Sequence, residues 1–139
     1  MAYKHLEHEA DIGVLGIGST IEEAFEEGAK AMFDVMVDVK RVEPKQEVKI
    51  DCTANDLEAL FVEWLNNLLT KQDIDEMVFS KFKVTIKKNK TYNLVGVAYG
   101  ELLDVKKHKI KTEVKAATYS GLKYEKIKDK HNIQCILDI

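Results

Sequence analysis

The sequence predicts an α+β fold: a single domain, residues 1–139, with two amphipathic helices packed on one face of a mostly antiparallel (mixed) β-sheet. Three observations predict it. Two stretches in the first half carry apolar residues at helical spacing, and after them the apolar period changes to two. Pro44 is the only proline, and no repeat, low-complexity run or Ser/Gly linker marks an internal boundary. A chain of this size, 45% hydrophobic, buries roughly 68% of its unfolded surface and needs no disulfide or metal to fold.

The elements follow in order. "YKHLEHEA" and "IGVLGIG" read as short strands joined near Glu9–Asp11. "STIEEAFEEGAKAMFDVMVDV" is the clearest helix: Ser19 or Thr20 can cap it, and Ser19 with Glu22 has capping-box spacing. Its apolar stripe runs through Ile21, Phe25, Gly28, Met32 and Met36, while Glu22, Glu23, Glu26 and Glu27 sit where the helix dipole favours them. "EVKIDCTA" follows as a strand. "NDLEALFVEWLNNLLTK" is a second helix, expected to be capped by Asn55 and buried through Leu57, Leu60, Phe61, Trp64, Leu65 and Leu68. Phe82, Val84 and Ile86 then alternate with lysines and a threonine. "TYNLVGVAYGELLD", "EVKAATYSGLKYEKIKD" and "HNIQCILDI" complete the sheet, with Asp129–Lys130 as hairpin tip.

Composition excludes several functions. No apolar run approaches the ~20 residues of a membrane span, so no membrane partner is expected. The opening "MAYKHLEHEAD" lacks the apolar core of a secretory signal, and the cytoplasm is the expected compartment. Cys52 and Cys135 lie far apart without CxxC spacing, which reads as two buried reduced thiols. Net charge is −3, which argues against general nucleic-acid coating. Residues 1–70 nevertheless hold 6 Lys/Arg against 15 Asp/Glu, and residues 71–139 hold 15 against 9. Either the protein has an acidic and a basic face, or the halves interleave and cancel. The lysines at 81, 83, 87, 88 and 90 read as an exposed strand face and hairpin; RNA or an acidic partner surface is the sharper reading, against which stands the lack of an interleaved aromatic platform to stack bases.

Catalytic signatures are missing. "GVLGIGST" lacks GxGxxG spacing and a phosphate-loop lysine, and HExxH, GxSxG and CxxC motifs do not occur. The four histidines are scattered. His8, near Asp11, is the one placed for acid/base or metal work.

Two aspartates need a physical account. Asp11 lies between two apolar runs, and Asp138 lies in the strand-like ending "CILDI". The α-carboxylate of Ile139 would add a second negative charge beside Asp138. Like charges that close repel unless a cation sits between them, and oxygen-only ligands suit a hard divalent cation rather than zinc. Two readings stand: a solvated strand end, or one shared site that also takes Asp11 if the first and last strands meet.

The sequence also resembles a known family over essentially its whole length. "HEADIGVLGIGSTIEEAFEEGAKAMFDVM" is similar to the N-terminal signature of the archeases, written H-T-A-D-I-G followed by EEAF and MF. "DLEALFVEWLNNLL" resembles their second helix, "EVKAATYSGLKYEK" their K-A-x-T-Y-H segment, and "CILDI" their ending. The resemblance implies a helper rather than an enzyme: an activator of an RtcB-type tRNA-splicing RNA ligase that promotes guanylylation and multiple turnover of the ligase. It implies contact with tRNA only through the partner. A second implied role is a chaperone-like modulator of a tRNA methyltransferase; a metal-dependent phosphate-ester hydrolase is the rival from another class. The resemblance further implies a divalent-cation site, calcium first with magnesium or manganese as alternatives, at Asp11, Asp138 and Ile139. His8, Glu9 and Lys115 are its expected partner-binding residues. Glu9 stands where the family has threonine, and Ser120 where it has histidine.

Overall fold

Gly16 and Gly18 explain how the first helix meets the sheet. A Cβ at Gly16 would run into the carbonyl oxygen of Ala24 and the amide of Gly28, and one at Gly18 into Ala24 and Glu23. The glycines of "GVLGIG" therefore let a helix lie directly on a strand, and they do not cradle phosphate. The computed structural model that shows this describes residues 2–8 and 11–139, and of residues 6–8 the backbone only. Its elements are β1 (Ala2–His8), β2 (Asp11–Gly18), α1 (Ile21–Met36), β3 (Gln46–Ala54), α2 (Leu57–Asp75), β4 (Met77–Lys88), β5 (Tyr92–Leu102), β6 (Ala116–Ala117), β7 (Lys123–Ile127) and β8 (Lys130–Asp138).

The fold is α+β, with both helices on antiparallel sheets. The strands divide between two sheets: β1, β2, β8 and β6 in that order with β7 also on β8, and β3, β5, β4. Every pairing is antiparallel. The helices form the layer between them. α1 packs on β2 and on β4, and α2 packs on β3 and β5 on one side and on β6 on the other. Alternation along a strand reports one buried face, which both sheets possess, so the sequence pattern reads as one sheet.

Local chemistry sets the ends of these elements. Thr20, not Ser19, caps α1: its hydroxyl accepts from the Glu23 amide at 3.0 Å, and the Glu23 carboxylate reaches back to the Ser19 amide at 2.8 Å. Asp56 rather than Asn55 caps α2, accepting from the Ala59 amide at 2.7 Å. The helix runs beyond Lys71 to Asp75 and stops at Glu76, which takes the left-handed conformation (φ 53°). The β7–β8 hairpin turns through Lys128 and Asp129, both at positive φ, one residue before the expected tip. Thr118–Leu122 interrupts the strand expected over 113–129, with Gly121 at φ +60°.

Burial follows the layering. Phe25 and Phe61 meet edge to face at 5.2 Å, and the Trp64 indole N–H donates to the Phe25 carbonyl at 3.1 Å, joining the helices. Phe33 packs edge-on against Phe79 of β4 at 5.4 Å. The two halves of the chain interleave, since β2 pairs with β8 and β3 with β5. Both sheets are therefore built from both halves of the chain.

Candidate functional site

The register of β2 on β8 decides the question the two aspartates raise. Asp11 is the direct partner of Asp138. Ile12 stands opposite buried Leu137, and Val14 opposite buried Cys135. Alternation then turns Asp11 and Asp138 to the outer face, away from the helices. Directly opposed residues hold their Cβ atoms about 4.5–5.5 Å apart. Asp138 is exposed and Asp11 half-buried. Among the described residues, no lysine, arginine or histidine forms an ion pair with either carboxylate. Two carboxylates thus face each other at a strand end, with no cation from the described residues paired to either.

The donor set has the chemistry of a hard-cation site: carboxylate oxygens only, with the Ile139 backbone one residue beyond Asp138. Among the described residues, no group of three or more His, Cys, Asp or Glu side chains is placed to hold a metal. Two side chains therefore need a further oxygen donor. Glu9 and the His8 side chain, both singled out by the sequence, lie outside the described residues.

Lys115 arrives at the same strand end by its backbone. Its amide donates to the Asp138 carbonyl at 2.8 Å, and the next residue, Ala116, pairs with Asp138. Lys115 is exposed and makes no ion pair with Asp138; it lines a groove of about 880 Å³ between α2 and residues 113–116. Ser120 is exposed, and its carbonyl accepts from the Ile136 amide at 3.2 Å.

Asn66 holds this arrangement from behind, and sequence reasoning passes over it. Its amide nitrogen donates to the Ala117 carbonyl at 3.0 Å while its oxygen accepts from the Ala117 amide at 2.8 Å. One side chain on α2 thus stands in for a neighbouring strand. The signal was available: an asparagine inside the apolar run "WLNNLL" needs hydrogen-bond partners to be half-buried there.

A second polar cluster lies elsewhere. Glu101, 8% exposed, accepts from the Glu43 amide at 2.8 Å, from His108 Nε2 at 2.8 Å and from Lys107 Nζ at 2.9 Å. His108 is fully buried, and its Nδ1 accepts from the Asp104 amide at 3.0 Å, which leaves the proton on Nε2 for Glu101. Desolvation opposes ionisation of Glu101, but the donors from Glu43, His108 and Lys107 outweigh it and bring the carboxyl down to about 2. The other histidines with described side chains also have partners. His131 Nδ1 lies 2.6 Å from the Tyr124 hydroxyl, and His5 Nε2 lies 3.0 Å from the Ala31 carbonyl. Cys52 and Cys135 are free thiols that burial pushes up to about 12, so neither is primed as a nucleophile.

Comparison with known proteins closes the question of kinship. Residues 3–139 match the model of the Archease protein family (MTH1598/TM1083). The chain belongs to the archease family. It is 48% identical to the protein archease of Pyrococcus furiosus over 128 residues, covering 91% of this chain and 90% of that one. The solution structure of Methanobacterium thermoautotrophicum protein 1598 superposes with a TM-score of 0.87 at 35% identity, covering 99% of this chain and 98% of that chain. The crystal structure of an archease, a possible chaperone, from Thermotoga maritima shares the fold at a TM-score of 0.61 and 21% identity, covering 98% and 96% of the two chains. No helix among the described residues is long and apolar enough to cross a membrane.

Proposed function

We propose that this archease is a non-enzymatic activator of an RtcB-type tRNA-splicing RNA ligase, promoting guanylylation of the ligase and its multiple turnover. Family membership supports the helper role. The observation that carries the site is the Asp11–Asp138 register, which opposes two carboxylates that no cation among the described residues pairs with. Asp11 and Asp138 would hold a divalent cation, calcium first, joined by Ile139. Bound there, the cation supplies charge neutralisation and a positioning point for phosphate oxygens, the effects that dominate phosphoryl-type transfer.

The chain's own residues do the rest. Asn66 anchors β6, β6 presses on Asp138, and β2 brings Asp11 opposite. The acidic end is therefore presented on a backed strand pair rather than on a loop. Lys115, with His8 and Glu9, would flank the partner's docking position. The rival reading, a metal-dependent hydrolase using Asp11, Asp138 and His8, predicts instead that the purified protein alone turns over a phosphate ester.

The experiment adds the protein to its cognate ligase with GTP and a divalent metal, then follows ligase guanylylation and exon joining. Wild type is expected to raise turnover, and Asp138→Asn to lose at least tenfold of that stimulation. No stimulation by wild type would sink the activator role. Full stimulation by Asp138→Asn would remove the carboxylate pair from it. Recovery of a tRNA methyltransferase instead of the ligase from native extract would favour the chaperone reading.

A further inference from the structure

The outer face of the β3–β5–β4 sheet is a feature the proposed role leaves unused. Both helices pack on the other side of this sheet, where Phe82, Val84, Leu94 and Ala98 are buried. From Lys81 to Lys87 on β4, beyond the register shift at Phe79, and from Asn93 to Tyr99 on β5, odd-numbered residues consequently face outward. Lys81, Lys83 and Lys87 project from β4 in one row and are exposed. Register then brings neighbours that no single strand reveals: Tyr99 stands beside Lys81, and Val97 lies between Lys83 and Lys49 of β3. The Lys81 ammonium lies 5.3 Å from the centre of the Tyr99 ring. Val95, two residues along from Val97, is 54% exposed. An aromatic and an apolar surface are thus interleaved with the lysines.

Edge protection does not account for this row. The free edge of β4 is turned into α1, where the Glu26 carboxylate accepts from the Val84 amide at 2.8 Å. Self-neutralisation does not account for it either. Among the described residues, Lys49, Lys81, Lys83 and Lys87 make no ion pair. On the face itself the carboxylates, Glu47 and Asp51, lie on β3, about 10 Å across the sheet from the β4 row, while Glu23, Glu26 and Glu27 of α1 share a pocket with Lys81 at the β4 edge.

The geometry points to a binding surface for single-stranded RNA, its phosphates tracking the β4 lysine row and a base stacking at Tyr99. Lysines two positions apart on a strand are about 6.8 Å apart, so the row from Lys81 to Lys87 spans a few nucleotides. Lysine is depleted from protein–protein interface cores, whereas neutralising phosphates with lysines is how nucleic-acid binders gain affinity. Aromatic stacking accepts any base. The surface would give the chain a direct contact with RNA, separate from the carboxylate end and independent of a ligase.

The test uses the isolated full-length protein and a fluorescently labelled oligouridylate, with anisotropy read between 50 and 200 mM salt. Micromolar binding is expected at the low-salt end, with a log–log salt slope of about −2 to −3 for three to four phosphate contacts. The K81Q/K83Q/K87Q variant should weaken binding at least tenfold and bring the slope to about −0.7. Tyr99→Ala should weaken binding about tenfold while leaving the slope in place. Lys126→Gln, which removes an exposed lysine from β7, controls for net charge and should change affinity less than twofold. Circular dichroism and melting of each variant separate lost binding from lost fold. No binding at 50 mM salt overturns the proposal, as does wild-type affinity in the triple-lysine variant. Equal competition by polyglutamate would also overturn it, assigning the face to acidic protein.

Discussion

Two groups of carboxylates in this protein obey opposite rules. Glu101 is buried and receives three donors, and they hold it ionised down to about pH 2. Asp11 and Asp138 lie at a strand end, face one another, and receive no ion pair from the described residues. The first group has been neutralised by the fold and is part of its construction. The second lies at the strand end, where the proposed cation would bind. A carboxylate's surroundings, more than its presence, therefore separate structure from site.

The comparison breaks first at Glu101. Glu101→Ala strands the buried His108 and the Glu43 amide without their acceptor, so unfolding in urea at pH 7 should show a loss of about 3 kcal/mol. A loss under 1 kcal/mol would mean the cluster does not hold residues 103–109 in place. The pH dependence has a definite sign. The folded Glu101 carboxyl titrates near 2, below the ordinary glutamate value of about 4.3. Its stabilising contribution is complete above that ordinary value and is lost as pH falls toward 2. Glu101→Gln should flatten that part of the acid stability curve.

Cation removal tests the other group. With calcium at a hundredfold its dissociation constant, wild type should gain about 2.7 kcal/mol over the chelated protein, and Asp138→Asn should gain none. An equal gain in both would place the cation elsewhere. Asn66→Ala comes next, at about 2 kcal/mol, because both backbone groups of Ala117 lose their partner. It should also weaken calcium binding without removing a ligand, since β6 borders Asp138. Unchanged calcium affinity would make Asn66 purely structural.

How much of this was legible in the sequence differs between the two groups for a physical reason. Helices and strands announce themselves through period, and the α+β class followed from it. The α1 cap fell on Thr20, one of the two candidates, and the α2 cap moved from Asn55 to Asp56, because adjacent Ser/Thr or Asn/Asp residues offer nearly the same chemistry. The division into two sheets was hidden, since each strand records only that one face is buried. Asp11 and Asp138 stood out because a carboxylate among strand-like apolar residues is costly. Their pairing depends on register, which is set by strands 127 positions apart in the chain. Glu101 and His108 gave no such signal: each looks like one more polar residue beside a loop. Tyr99 escaped for the same reason as the pairing, because its lysine neighbour is on another strand.

The smallest effect separates the two groups most cleanly, because it reverses sign. Like charges directly opposed across an antiparallel pair destabilise it by a few tenths of a kcal/mol to about 1. Asp138→Asn keeps the side chain's shape and removes one of the two charges. In metal-free buffer at low ionic strength, where screening is weakest, it should therefore raise stability by about 0.5 kcal/mol. Asp11→Asn should do the same, and the double variant should gain little more than either single one, since each already removes the repulsion. The matching Glu101→Gln change must lower stability, because there the charge is what the donors were placed to receive. Added calcium should invert the first result and leave the second unchanged: wild type then overtakes Asp138→Asn, whereas Glu101→Gln stays behind by the same margin. A metal-free loss of stability on Asp138→Asn would show that the strand end neutralises its own charges, which would leave no electrostatic need for a cation there.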